Sequence, residues 1–170
     1  FVTGHLGGMI KQYVEKNFPE MDSIFVEQKK QEGLGHAIYQ AAHTFGNDEI
    51  FIILGDTIFD VDLDAVIALG ANALGLKYVD DPKRFGVAIT ENGKIKQLVE
   101  KPEVPPSNMA IVGLYYIKNS QKLAECLRSN IENNRRTRGE FQLTDALQMM
   151  LDQGEEMVPF TVDGWYDCGK

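Results

Sequence analysis

Ile50-Phe51-Ile52-Ile53-Leu54-Gly55-Asp56 decides the fold. Five consecutive apolar residues, ended by a glycine and a carboxylate, suit a strand covered on both faces, as in a sheet sandwiched between helices. The sequence before it has a different period. Leu6, Met9, Ile10, Tyr13 and Val14 fall on the i, i+3, i+4, i+7, i+8 stripe of an amphipathic helix, and Pro19 stops it. Residues 34–45 read as a second helix, opened by Gly33 and Gly35 and closed near Gly46. Strands are predicted at 23–26 and 73–79, with a short helix at 63–69 between the central strand and the latter. This alternation implies βαβ units, right-handed crossovers and a layered α/β sheet.

The second half reads differently. Residues 86–90 and 94–99 are strands joined across Glu91-Asn92-Gly93, and Asn-Gly is a strong hairpin signal. Pro102, Pro105 and Pro106 mark an extended loop. A strand at 110–117 with both faces apolar, a helix at 121–131 and a polar, basic connection at 133–139 follow. Thr144 is read as the cap of a helix at 145–151 with an acidic first turn, followed by a strand at 157–162.

Composition excludes several functions. Of 170 residues, 44% are hydrophobic and 25% charged, ordinary globular usage that permits a sizeable core and excludes disorder as the default. Lys and Arg number 17 against 25 Asp and Glu, for a formal charge of -8. A chain this acidic does not suit duplex nucleic acid or an anionic membrane surface. A phosphorylated ligand would need local Lys or Arg, or a divalent metal. Cys126 and Cys168 make neither a disulfide framework nor a metal cluster and read as reduced thiols in a cytoplasmic protein. Phe1-Val2-Thr3-Gly4 reads as a strand running into a turn. Trp165 to Lys170 reads as a strand and the beginning of another turn. Residues 1–170 are therefore expected to be one domain, cut at both ends.

Four stretches can carry chemistry. Gly55-Asp56 lies at the carboxyl end of the most apolar strand, where open α/β sheets bind ligands and a carboxylate can hold a hard cation. The loop from Gln28 to Ala37 carries Gly33 and Gly35 before a helix start, which lets the backbone approach a ligand, and the Gln28 amide can read a base edge. Its spacing fits neither a dinucleotide fingerprint nor a P-loop. His36 and His43 share this helix and read as a packed or solvated pair rather than metal ligands. Glu100-Lys101-Pro102 pairs an acceptor for hydroxyls with a phosphate-binding point charge, and the break before Pro102 can turn both toward one cleft. Arg135, Arg136 and Arg138 read first as a solvated basic loop, with a phosphate contact as the alternative. Trp165-Tyr166-Asp167 sets a carboxylate after two aromatics.

In this order the motifs resemble the sugar-phosphate nucleotidyltransferase family, glucose-1-phosphate thymidylyltransferases and uridylyltransferases above all. The resemblance rests on Gln28 before Gly33-Leu34-Gly35-His36-Ala37, then Gly55-Asp56, Phe85-Gly86-Val87 and Val99-Glu100-Lys101-Pro102. It continues through Val112-Gly113-Leu114-Tyr115, Gly139-Glu140-Phe141-Gln142-Leu143-Thr144-Asp145 and Trp165-Tyr166-Asp167-Cys168-Gly169. It implies a Rossmann-like three-layer α/β sandwich with a mostly parallel mixed sheet and a sugar-binding half that contains the hairpin. It implies an enzyme of the EC 2.7.7 type that joins dTTP or UTP to a sugar 1-phosphate, glucose 1-phosphate first, and releases pyrophosphate. Gln28 and Gly33 would contact the base. Asp56 and Asp167 would bind the catalytic Mg²⁺. Gly86, Glu100, Val112 and Glu140 would hold the sugar, and Lys101 its phosphate.

The family also opens with a strand and a basic Gly-rich loop, of the form G-G-x-G-T-R-L, which this sequence lacks. The fragment alone is expected to be inactive. Phe85 stands where many members carry Tyr. The rival reading is a non-catalytic relative that binds a nucleotide sugar. Oligomeric state is open, a homo-oligomer included.

Overall fold

In the computed structural model, which describes residues 1–169, the apolar run forms β3 (Ile50–Ile53). Before it come β1 (Val2–Thr3), α1 (Gly7–Asn17), β2 (Val26–Glu27) and α2 (Leu34–Gln40). After it come β4 (Thr57–Asp60), α3 (Leu63–Ile67), β5 (Asn72–Tyr78), β6 (Gly86–Glu91) and β7 (Lys94–Glu100). The chain continues through β8 (Met109–Ile117), α4 (Ser120–Glu132), α5 (Leu143–Asp152), β9 (Met157–Thr161) and β10 (Gly164–Asp167).

Strands β7, β6, β8, β5 and β9 lie side by side in that order, and β3 pairs with β8 beyond its contact with β6. Side-chain alternation divides the core into two layers of packing, because successive residues of a strand face opposite sides. Leu74, Tyr115 and Met157 join α2, α4 and α5 in the larger cluster. Their neighbours Ala73, Tyr116 and Val158 join Val66 of α3 on the other face. Helices therefore cover both faces, giving the expected three-layer, Rossmann-like α/β arrangement around a mixed sheet.

The expected majority of parallel pairs is corrected. Strand β8 runs antiparallel to β3, β5 and β6, and β6 antiparallel to β7; within this sheet only β5 and β9 pair in parallel. It follows that β3, β5, β6 and β9 all point the same way. The βαβ alternation gave their direction correctly but could not give adjacency. Strand β8 enters between β3 and β5 with the opposite sense and turns parallel neighbours into antiparallel pairs.

Three local readings also change. The helix at 34–45 breaks after Gln40 into a 3₁₀ turn at Ala42–Thr44, where the Thr44 hydroxyl donates to the Ala41 carbonyl at 2.8 Å. The α1 stripe forms a helix, but of its apolar residues only Val14 is buried. Thr144 is not a cap: Gln142 occupies that position and Thr144 lies one residue inside α5. Among the described residues no helix is long and apolar enough to cross a membrane.

Candidate functional site

A cleft of about 330 Å³ opens where β3, β6, β7 and β8 meet the turn before β4 and the end of β10. Asp56 stands in the turn between β3 and β4, closed by the Thr57 N–H on the Leu54 carbonyl at 3.2 Å. Strands β4 and β10 pair antiparallel with Thr57 opposite Asp167, and the Cys168 N–H donates to the Asp56 carbonyl at 2.8 Å. This ribbon brings together two carboxylates far apart in sequence. A Cβ built on Gly169 would stand 2.5 Å from Asp56 Oδ2 and 3.1 Å from Asp167 Oδ1, so both carboxylates converge on one point. No group of three or more metal-ligating side chains occurs among the described residues. Two carboxylates are nonetheless what Mg²⁺ commonly takes from a protein, since it completes its shell from substrate oxygens and water. The donor set fits that ion.

The opposite wall is built by the hairpin. Gly86 lies across from Glu100 in the β6–β7 register. A side chain at Gly86 would press at 3.0 Å on both Glu100 Oε2 and Thr144 Oγ1. Those two atoms are themselves bonded: the buried Thr144 hydroxyl donates to the Glu100 carboxylate at 2.7 Å. The Glu100 side chain is only 8% exposed, and its other oxygen stands 3.6 Å from Lys101 Nζ. Adjacent strand residues normally face opposite sides. Lys101 escapes this by adopting φ 41, a left-handed conformation uncommon for a residue with a side chain. The Phe85 carbonyl accepts the Lys101 N–H at 3.1 Å, and Arg138 Nη2 donates to the Lys101 carbonyl at 2.6 Å. Glu100 and Lys101 therefore line the same cleft, as the break before Pro102 suggested.

Val112 lines the cleft just before Gly113, whose φ of 78 accompanies the change of neighbour along β8. Glu140 lines it as well and accepts from Gln142 Nε2 at 3.2 Å. Burial, helped by the Glu100 charge, pushes the Tyr115 hydroxyl above its ordinary range, so it keeps its proton. Phe85 and Trp165 meet edge to face at 5.3 Å and close one end.

Gln28 and Gly33 sit beside this cleft rather than lining it. Gly33 has φ 108, and a Cβ there would stand 2.6 Å from the Phe141 carbonyl and 2.8 Å from Glu140 Cβ, so only glycine fits. Phe141 ties the two loops together. Its N–H donates to the Glu32 carbonyl and its carbonyl accepts the Gly35 N–H, both at 2.8 Å. Arg136 adds a bond to Glu32 Oε1 at 2.7 Å while its guanidinium lies 3.8 Å over the Phe141 ring. The Arg136 bond holds the Glu32 carboxyl below its usual range. Arg136 thus links the loops, where the sequence suggested a solvated side chain.

Seven of the nine expected site residues line the cleft: Asp56, Gly86, Glu100, Lys101, Val112, Glu140 and Asp167. Arg84, Gln142 and Thr144 line it too and were not anticipated. Thr144 resembled a cap, and Gln142 is a buried polar residue that the sequence shows only as part of a motif. Nothing in the sequence distinguishes Arg84.

The family model described as nucleotidyl transferase matches residues 5–170. A glucose-1-phosphate thymidylyltransferase of Streptomyces antibioticus is 33% identical over 159 residues, which are 88% of this chain and 43% of that protein. The UTP–glucose-1-phosphate uridylyltransferase AglF of Haloferax volcanii is 28% identical over 96% of this chain and 68% of its own length. Among solved structures, a UDP-glucose pyrophosphorylase complexed with UDP-glucose superposes with a TM-score of 0.80 at 26% identity, over 99% of this chain and 74% of that one. The chain spans less than half the length of several curated relatives it matches, 43% of two of them.

Proposed function

The chain belongs to the nucleotidyl transferase family, and from that premise we propose that its protein joins a pyrimidine nucleoside triphosphate, dTTP or UTP, to a sugar 1-phosphate. Glucose 1-phosphate is the first candidate, because the matched relatives are named for it. The products are pyrophosphate and a nucleoside-diphosphate sugar. One observation carries the reading: a single cleft has Glu100 and Lys101 on one wall and Asp56 and Asp167 on another.

In this reaction a phosphate oxygen of the sugar 1-phosphate bonds to the α-phosphorus as the α–β bridging bond breaks. The attacking phosphate is already anionic near neutral pH, so the chain need supply no general base. Its work is to hold two polyanions in line and offset their charge. Lys101 is the point charge for the sugar phosphate. Glu100, fixed by Thr144, accepts from sugar hydroxyls in the space that Gly86 leaves open. Val112 and Glu140 complete the sugar's surroundings. Asp56 and Asp167 would hold a divalent cation, Mg²⁺ by donor chemistry, which when bound neutralises phosphate charge. Gln28 and Gly33 read the base.

Pyrophosphate release tests this. With Mg²⁺ present and the full-length protein as the enzyme, release that requires both glucose 1-phosphate and a pyrimidine triphosphate supports the assignment. Release that is indifferent to the sugar phosphate, or absent with every triphosphate, overturns it.

A further inference from the structure

A glutamine amide has nearly the same shape either way round, so a site that reads a base with one must fix which end faces the ligand. Here two contacts of a single atom fix it. Gln28 Nε2 lies 3.1 Å from the Gly33 carbonyl and 3.0 Å from His36 Nδ1. A carbonyl oxygen carries no proton, so the group facing it must be the donating NH₂. The second N–H then falls on His36 Nδ1, which must be the bare nitrogen of a neutral imidazole. The ring proton therefore sits on Nε2. The structure sets Gln40 Nε2 3.1 Å from it, so the Gln40 amide must turn over to accept on its oxygen; Glu32 Oε2, at 3.6 Å, is the acceptor that already faces it.

Both donors of Gln28 are thus committed to the protein. Its Oε1 accepts from no described residue and is the end left for a ligand. The Gly33 N–H likewise finds no protein acceptor among the described residues. An acceptor beside a donor complements the N3–H and C4=O edge of uracil or thymine. Cytosine presents the reverse, a bare N3 beside an amino group.

We infer that His36 is a positioning residue that holds the Gln28 amide with its oxygen toward the base and so selects uracil or thymine over cytosine. This rests on the base-reading role proposed for Gln28. His36 acts through Gln28 and need not touch the base. Without His36 the amide is held by the Gly33 carbonyl alone, and one N–H is freed that the base edge of uracil or thymine does not match.

Two measurements test it. Nitrogen-detected NMR of the unliganded protein reads the His36 tautomer, expected to carry its proton on Nε2; a proton on Nδ1 overturns the inference. Equilibrium titrations with UTP and with CTP compare wild type, His36→Ala and His36→Asn, whose side-chain carbonyl can stand in for Nδ1. Wild type should favour UTP by about tenfold or more, the usual value of one paired against one unpaired polar group. His36→Ala should lower that ratio by about threefold or more, the Gly33 carbonyl keeping part of it, and His36→Asn should keep it whole. A ratio unchanged in His36→Ala overturns the inference. So does equal wild-type affinity for both nucleotides, which leaves the proposed transferase role standing. Binding of neither nucleotide removes the base site and this inference with it.

Discussion

Two amphipathic helices, α1 and α5, carry comparably regular apolar stripes and meet different fates. α5 buries Leu143, Ala146, Leu147 and Met150 to 1% exposure or less against the six-stranded sheet. α1 leaves Met9 at 65% and Tyr13 at 62% exposed, beside a sheet of only two strands, β1 and β2. A 3.6-residue period predicts a helix; burial needs a sheet face to receive it. The difference reaches the site. The proposed sugar wall stands on the packed layer of β6, β7, β8 and α5, whereas the loop proposed to read the base is joined to it through Phe141 and the Glu32–Arg136 bond.

The comparison breaks most visibly in stability. Leu147→Ala should cost about 2–5 kcal/mol, as a fully buried side chain leaves a cavity. Met9→Ala should change stability by no more than about 0.5 kcal/mol. Equal shifts in a denaturant titration would show that the two regions are packed alike. Next in size is the pair of carboxylates proposed to hold the metal. Asp56→Asn should lower pyrophosphate release by about 100-fold or more while leaving the denaturation midpoint in place, because Asp56 is exposed. Near-normal turnover would remove that assignment.

A smaller effect sharpens the sugar wall. Thr144→Val removes the donor to Glu100 and should raise the apparent KM for the sugar 1-phosphate by about tenfold, with Thr144→Ser restoring it. A KM that Val leaves unchanged would make Thr144 a packing residue only. The smallest effect lies between the loops. Arg136→Gln should weaken nucleotide affinity only a few-fold, since the Glu32–Arg136 pair is exposed to solvent and salt. The Glu32 carboxyl is held below its ordinary value by Arg136, so the pair's contribution is complete above about pH 4.5 and is lost as pH falls through the lowered value. An NMR titration of Glu32 should give a midpoint below 4.5, moving up in Arg136→Gln; a midpoint at or above that value contradicts the bond.

Much of this was legible from local patterns. The strand at Ile50, the Asn92-Gly93 hairpin and the paired Glu100 and Lys101 each follow from chemistry within a few residues. What was not legible depends on adjacency. The insertion of β8 between β3 and β5 leaves no mark on either strand's sequence. Strand β4 escaped notice because its partner, β10, lies at the far end of the chain. Thr144 looked like a cap because a hydroxyl before an acidic turn usually is one; its bond to Glu100 appears only when the hairpin folds over α5. The orientation of Gln28 depends on a ring nitrogen whose protonation no sequence pattern encodes.

The most direct test of the central claim, that Glu100 and Lys101 form the sugar-phosphate wall, is calorimetric titration of glucose 1-phosphate into wild type and Lys101→Ala. Saturable binding in wild type that weakens by about tenfold or more in Lys101→Ala is the predicted result. Equal affinity in the two proteins, or no binding in wild type, would contradict the claim.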